Sequence, residues 1–294
     1  MNNIQYGKKR KTIIKNLNTK INQWLDSIVD ESVKVLAQRD CIVTGGAIAS
    51  MYLGEKVNDY DIYFKTYETT KAIAEYYCKQ YTCEGSGRFP IADDKTYADR
   101  ITIQIPSAGV AGKPPIQDQD SNDGEENENN TFEENDDDLL YSPIFFSANA
   151  ITLSNKIQLI VRFNGSPDEI HKNFDFLHAQ CYFSLAEQEL VASAESLECL
   201  LARQLVYRGS LYPLASLFRV KKFILRGWNV SAGDLLKIAW QINDLDMKNP
   251  TVLREQLTGV DFAYMAQLIA ALAEESPEKI NETYVGSIID KIFS

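Results

Sequence analysis

Histidine is almost absent from this chain: two copies, His171 and His178, among 294 residues. A metal centre built from several imidazoles is therefore not expected. Cysteine is nearly as scarce. Its five copies (Cys41, Cys78, Cys83, Cys181 and Cys199) are odd in number, scattered, and form no CxxC pair. Neither a disulfide framework nor a zinc site is expected from them. That usage suits a reducing compartment, so the cytoplasm is the expected location. No run of consecutive apolar residues is long enough for a membrane span. The start, MNNIQYGKKRKTIIKNLN, has basic residues without a following apolar stretch, which is not a signal-peptide pattern.

What is present reads as an ordinary globular chain, 45% hydrophobic and 24% charged. At roughly 100–200 residues per domain, the length implies one large domain or two small ones. There are 41 acids against 30 bases, a net charge of −11. The excess is local. Residues 118–138, DQDSNDGEENENNTFEENDDD, hold eleven acids and no Lys or Arg. Without them the chain has 30 acids and 30 bases, so its acidity says little about partners. From Pro106 to Asp138 almost nothing is apolar, and a disordered insertion is expected, acting as a solvated spacer. The alternative is an acidic mimic competing with nucleic acid for a basic surface.

Apolar spacing predicts a helix over Lys11–Leu36, from Ile13, Leu17, Ile21, Trp24, Leu25, Ile28 and Val29. A short apolar strand, Cys41–Thr44, runs into Gly45-Gly46, and Ala47–Leu53 reads as a helix. Asp59–Phe64 alternates as a strand, and Glu68–Tyr81 reads as a helix. Strands are expected at Tyr97–Ile105, Ile144–Leu153, Ile157–Phe163 and Phe176–Phe183. Ser166-Pro167-Asp168-Glu169 is a helix-start pattern. From Leu185 onward only helices are expected: 185–207, 212–226, 231–243, 250–256, 260–274 and one near 284–292. The expected fold class is thus α+β: a mixed sheet with flanking helices over 1–184, then an all-helical region over 185–294.

The chemistry concentrates in Ile42–Lys65, IVTGGAIASMYLGEKVNDYDIYFK. Two glycines at a strand-to-helix turn let a backbone approach phosphates, and the helix start supplies N–H groups and a positive dipole end. Ser50, one turn into the helix, can donate its hydroxyl to a phosphate oxygen. Asp59 and Asp61, two apart on a strand, point to one face. Two hard oxygen ligands on one strand suit Mg²⁺ (or Mn²⁺) bridged to a nucleoside triphosphate. Such metals activate an attacking hydroxyl and stabilise a pyrophosphate leaving group.

This order of strand, Gly-Gly, short helix and Asp-x-Asp resembles the signature of the DNA polymerase β-type nucleotidyltransferases. The resemblance extends to the head and neck of tRNA CCA-adding enzymes and bacterial poly(A) polymerases. Asn173–Phe183, NFDFLHAQCYF, is similar to their Arg-Arg-Asp-Phe segment, with Asp175-Phe176 at the matching Asp-Phe. Pro213–Trp228, PLASLFRVKKFILRGW, is similar to a later basic helix of theirs. The resemblance implies transfer of a nucleoside monophosphate from an NTP to an acceptor hydroxyl, such as the 3′ end of tRNA or another RNA. It implies Asp59 and Asp61 as metal ligands, and Gly45, Gly46 and Ser50 as the phosphate cradle. Arg219, Lys222 and Arg226 become triphosphate or RNA contacts. The style of the chain is similar to nucleotidyltransferase-like proteins of large bacteriophages.

Three departures stand against that pattern. Asn173 and Phe174 replace the family's two arginines. The nucleobase-reading Glu-Asp-x-x-Arg pattern is not evident. Gln158 stands where the third carboxylate is expected, leaving Asp175 as the nearest substitute catalytic acid. If neither serves, the chain is a catalytically silent nucleotide- or RNA-binding module of the same fold. A third reading is an interaction protein in which both motifs are incidental. Trp228 and Trp240 are expected as core anchors, and the two histidines as hydrogen-bonded structural residues. The run Lys8–Lys11 reads as a solvated basic arm, with RNA contact as the alternative.

Overall fold

The computed structural model describes residues 7–81, 88–96, 100–105 and 141–257, with 283, 286 and 287 near the C-terminus. The acidic insertion expected at 106–138 and the helix expected at 260–274 lie outside the described residues, as does most of the one near 284–292. The chain divides into two compact units. One is Met1–Lys172 with Ala179–Ser193, the other Asn173–His178 with Ala194–Ser294.

The first unit opens with two helices where apolar spacing predicts one. Helix α1 spans Arg10–Asp26 and α2 spans Glu31–Asp40. The break is written in Asp30, whose carboxylate accepts from the N–H groups of Ser32 (2.9 Å) and Val33 (3.3 Å) and so starts a new helix. Val29, in the break, is 88% exposed despite its place in the apolar period. Strand β1 (Cys41–Thr44), α3 (Gly46–Leu53), β2 (Tyr60–Phe64) and α4 (Tyr67–Gln80) follow in the expected order. Trp24, Phe64 and Tyr77 form the centre of the core, and the Trp24 indole donates to the Tyr77 hydroxyl at 2.9 Å. At the end of α2 the buried Asp40 accepts from Arg39, Thr66 and Thr69. Burial pushes its carboxyl up, but those hydrogen bonds outweigh it and hold the group down at about 2.

Strands β3 (Ile91–Asp93) and β4 (Thr102–Gln104) form a small antiparallel ribbon. The single strand expected at Ile144–Leu153 is a hairpin, β5 (Pro143–Phe146) and β6 (Ala150–Leu153). Ser147 makes the turn, its hydroxyl accepting from the N–H of Ala150 at 2.9 Å. Strand β7 (Ile157–Asn164) leads into the short helix α5 (Pro167–His171), which carries the expected capping box between Ser166 and Glu169. The strand expected at Phe176–Phe183 is mostly a 3-10 turn (Leu177–Ala179), followed by β8 (Tyr182–Ser184). An unexpected strand, β9 (Glu189–Val191), then completes the sheet. Its segment, LAEQEL, is made of helix formers, but Gln188 at φ 53° turns the chain back, its amide donating to the Leu185 carbonyl at 2.7 Å. The result is a seven-stranded sheet in the order β5-β6-β7-β2-β1-β8-β9, with β2 and β7 parallel and the other neighbours antiparallel. It is mixed, as expected of the α+β class.

The second unit holds α6 (Ala194–Ala202), α7 (Pro213–Leu225), α8 (Ala232–Asn243) and α9 (Pro250–Leu257). It is not purely helical. Strands β10 (Gln204–Leu205) and β11 (Asn229–Val230) pair in parallel, because Arg203 at φ 48° ends α6 and turns the chain. Phe176, His178, Tyr207, Phe223 and Trp228 form its aromatic cluster, with His178 and Trp228 ring centres 4.5 Å apart. Trp228 is the core anchor its residue type suggests. Trp240 is not: it stands on the outer face of α8, 65% exposed.

Candidate functional site

Sheet topology decides what surrounds Asp61. Strand β1 ends at Thr44, while β2 and β7 begin at the same edge, so Asp61 lies opposite Thr44 on one side and Gln158 on the other. Asp59 sits just before β2 and is exposed. The N–H of Tyr60, between the two acids, donates to the Lys156 carbonyl at 2.7 Å and fixes the strand's start against β7. Ile62 and Phe64, on the other side of the pleat, are fully buried.

The turn beside Asp61 is Gly45-Gly46. Gly45 has φ 93° and ψ −150°, a conformation closed to side chains without strain. Its N–H donates to the Ala179 carbonyl at 3.1 Å. Gly46 begins α3, and a Cβ there would meet nothing within 4 Å. The helix start carries no side-chain cap, so no side chain of the N-cap residue satisfies its first N–H groups. Ser50 lies four residues after Gly46 on the same helix face, half-buried. Ala47, Ile48, Ala49 and Met51 anchor the opposite face in the core.

Thr44 is the part that sequence reasoning missed, and its partner His171 is the hydrogen-bonded structural histidine expected there. Thr44 is fully buried. Its hydroxyl donates to the Cys181 carbonyl at 2.8 Å and meets His171 Nε2 at 2.8 Å. With its proton given to Cys181, the hydroxyl accepts from an Nε2–H imidazole. Burial pushes His171 down to about 4, against a small opposing pull from Asp168, so the ring is neutral at pH 7. Thr44 therefore ties β1 to α5 and to the segment before β8, directly beneath the glycine turn. The only sequence signal is a Thr immediately before Gly-Gly; its partner lies 127 residues away.

Gly45, Gly46, Ser50, Asp59 and Asp61 all fall in the first unit. Asp175, Arg219, Lys222 and Arg226 all fall in the second. There the Asp175 carboxylate is ion-paired with the Arg219 guanidinium, and its backbone carbonyl accepts from the N–H of Arg208 at 2.8 Å. Arg219 and Lys222 share a face of α7. Arg226 caps that helix, its guanidinium 5.3 Å from the centre of the Phe223 ring. His178 is buried in the aromatic cluster and is likewise pushed down to about 4, chiefly by burial.

Among the described residues no three His, Cys, Asp or Glu side chains group as a metal cage. Magnesium does not require one. Two carboxylates, completed by triphosphate oxygens and water, satisfy its octahedral preference. Asp59 and Asp61 are residues whose chemistry fits that requirement, and Gln158 lies opposite Asp61 on the neighbouring strand.

Among solved structures, the chain is similar to a Thermotoga maritima CCA-adding enzyme complexed with tRNA, at 12% identity and TM-score 0.43, covering 92% of this chain and 68% of that one. It is also similar to a CCA-adding enzyme in complex with CTP, at 12% identity and TM-score 0.45, covering 97% of this chain. A third is the Bacillus stearothermophilus CCA-adding enzyme with CTP, at 15% identity and TM-score 0.35, covering 82% of this chain. The chain spans 53% and 51% of the length of the latter two. No curated protein sequence matches it. The family model described as "Gad2: Gabija anti-defense 2 family protein" matches residues 15–203. That match takes in the whole sheet, the glycine turn and both aspartates, and the chain belongs to the Gabija anti-defense 2 family.

Proposed function

We propose that this chain is a metal-dependent nucleotidyltransferase that moves a nucleoside monophosphate from an NTP to an acceptor hydroxyl. One observation carries the reading: adjacent strands bring Asp61, the Gly45-Gly46 turn and Gln158 to one edge of the sheet. The bare turn at Gly46 admits the β- and γ-phosphates to the N–H groups of α3. Ser50 donates to a phosphate oxygen. Asp59 and Asp61 hold Mg²⁺ or Mn²⁺, which supplies charge neutralisation at the triphosphate when bound. The acceptor oxygen bonds to the α-phosphorus as the bond to the β-phosphate bridging oxygen breaks. Pyrophosphate leaves with that electron pair, and the hydroxyl proton passes to solvent. Lys222 on α7 and Arg226 at its end, both in the second unit, offer cations to an RNA backbone. Arg219 does so from a position fixed by Asp175, which makes Asp175 a positioning residue rather than a metal ligand. An RNA 3′ end, tRNA included, is the acceptor the motif resemblance favours.

The second reading is a silent module that binds nucleotide or RNA without transfer. Gln158 favours it, because a neutral amide beside Asp61 removes the third charge that transfer chemistry of this type uses. Family membership is compatible with both, since a defence system can be countered by modifying a component or by sequestering a nucleotide.

The test is incubation with each α-³²P NTP, Mg²⁺ or Mn²⁺, and total cellular RNA and protein, comparing wild type with Asp59→Asn/Asp61→Asn. Label in an RNA or protein band from wild type alone is the expected result. No label with metal-dependent NTP binding intact supports the silent module. Metal-dependent NTP binding by the double variant at wild-type strength removes the site altogether. Running the same pair against a Gabija-protected cell shows whether the anti-defence effect depends on this site.

A further inference from the structure

The start of α1 is built against its own electrostatics. Lys8, Lys9, Arg10, Lys11 and Lys15 are all exposed there. The helix has no acid in its first turn and no side-chain cap at Lys9. Cations at a helix N-terminus oppose the dipole, and five of them repel one another. Among the described residues no acid pairs with any of the five.

The run is also held in place. The N–H of Lys8 donates to the Met51 carbonyl at 2.9 Å, at the C-terminal end of α3. Gly7 passes so close to that end that a Cβ would lie 1.9 Å from the Tyr52 carbonyl oxygen. The basic run is therefore fixed to the rear of the helix whose front is the Gly45-Gly46 turn. Met51 lies five residues after Gly46 in α3, about 8 Å along the axis. Behind the charges, Ile13, Leu17, Ile21, Trp24 and Leu25 are buried in the core.

We propose that this basic corner is a docking surface for the phosphodiester backbone of a nucleic acid. The geometry disfavours an anionic membrane, because the apolar face of α1 is already buried and has nothing to insert. Five clustered, acid-free cations on a fixed backbone match an evenly spaced polyanion, whose counterion release offsets their mutual repulsion. The corner lies outside the proposed transfer site and does not depend on that chemistry.

The test is fluorescence anisotropy of the full chain with labelled single-stranded RNA, hairpin RNA and duplex DNA across a salt series. Wild type is compared with Lys8→Gln/Lys9→Gln/Lys11→Gln. Removing three phosphate contacts should lower the slope of log K against log salt by about 2 for single strands and about 3 for duplex. Restoring the charges as Lys8→Arg/Lys9→Arg/Lys11→Arg should restore it. Tighter binding of RNA than of DNA, or the reverse, identifies the source of the backbone. Lys79→Gln, at an exposed cation paired with Glu75, should keep the wild-type slope, and the titration is read without metal or NTP, so failure of the transfer reading leaves this result standing. An unchanged slope in the Gln variant, or no nucleic-acid binding alongside capture by anionic vesicles, overturns the proposal. Circular dichroism establishes that the variants are folded.

Discussion

The two units each bury a histidine, and both rings are pushed down to about 4, chiefly by burial. Their surroundings differ. His171 in the first unit gives Nε2 to Thr44, which braces the turn at Gly45. His178 in the second lies between Phe223 and Trp228, and its Nδ1 has no hydrogen-bond partner. The charged groups differ likewise. Asp61 sits at a sheet edge beside an open helix start, whereas Asp175 is paired to Arg219. A displaced titration therefore reports burial in both units. Only the hydrogen-bond network shows which one supports a site.

The sharpest way to break this comparison is to neutralise one aspartate in each unit. Asp61→Asn should lower transfer, or metal-dependent NTP binding, by at least about a hundredfold with little change in melting temperature. Asp175→Asn should instead weaken the pairing with Arg219 and destabilise the second unit by about 1 kcal/mol, the guanidinium being partly exposed. Reversal of these outcomes, measured by label transfer and thermal melting, would place the chemistry in the second unit.

The next effect is on the histidine partners. Thr44→Val keeps shape but leaves His171 Nε2 and the Cys181 carbonyl unmatched, which costs about 2 kcal/mol. His178→Phe should change stability by less than about 1 kcal/mol, since it removes an imidazole nitrogen that had no partner. Chemical denaturation distinguishes them, and equal losses would erase the contrast.

Acid should act on both histidines in one direction. The unfolded chain binds their protons near pH 6.5, while the folded chain does so only near 4. Between those values the unfolded state holds more protons, so stability is full above about 6.5 and is lost as pH falls toward 4. At neutral pH neither state holds these protons and the shift costs nothing; below about pH 4 each ring withdraws about 3 kcal/mol of stability. Asp40, held at about 2, adds a further loss between about pH 4 and 2. In His178→Phe the dependence of stability on pH between 4 and 6.5 should lose about one proton.

These contrasts also explain what was legible beforehand. Gly45, Gly46, Asp59 and Asp61 lie within one strand–helix–strand segment, where local spacing dictates geometry. Gln158 was legible because the resemblance places a third carboxylate on a later strand, and β7 sets Gln158 opposite Asp61. Thr44–His171 was not, because it joins residues far apart in the chain through a buried hydroxyl that has no periodic signature. The β8–β9 hairpin was hidden by helix-forming residues around Gln188, where a single positive φ outweighs propensity. Trp240 misled because residue type carries no information on which face of α8 is covered.

The smallest effect tests the one break that apolar spacing missed. Asp30 accepts from Ser32 and Val33 and starts α2, whereas Val29 beside it is 88% exposed. Asp30→Ala should cost about 1 kcal/mol, the usual value of an N-cap. Transfer or NTP binding should not move, because Asp30 starts α2 while the helix runs into β1 at its other end, Asp40–Cys41. Val29→Thr, made alongside, should be neutral, since its side chain is in water. If Asp30→Ala altered metal-dependent NTP binding as strongly as Thr44→Val, the bracing of the glycine turn would extend across the whole first unit. The local network of Thr44, His171 and Cys181 would then be only one part of it.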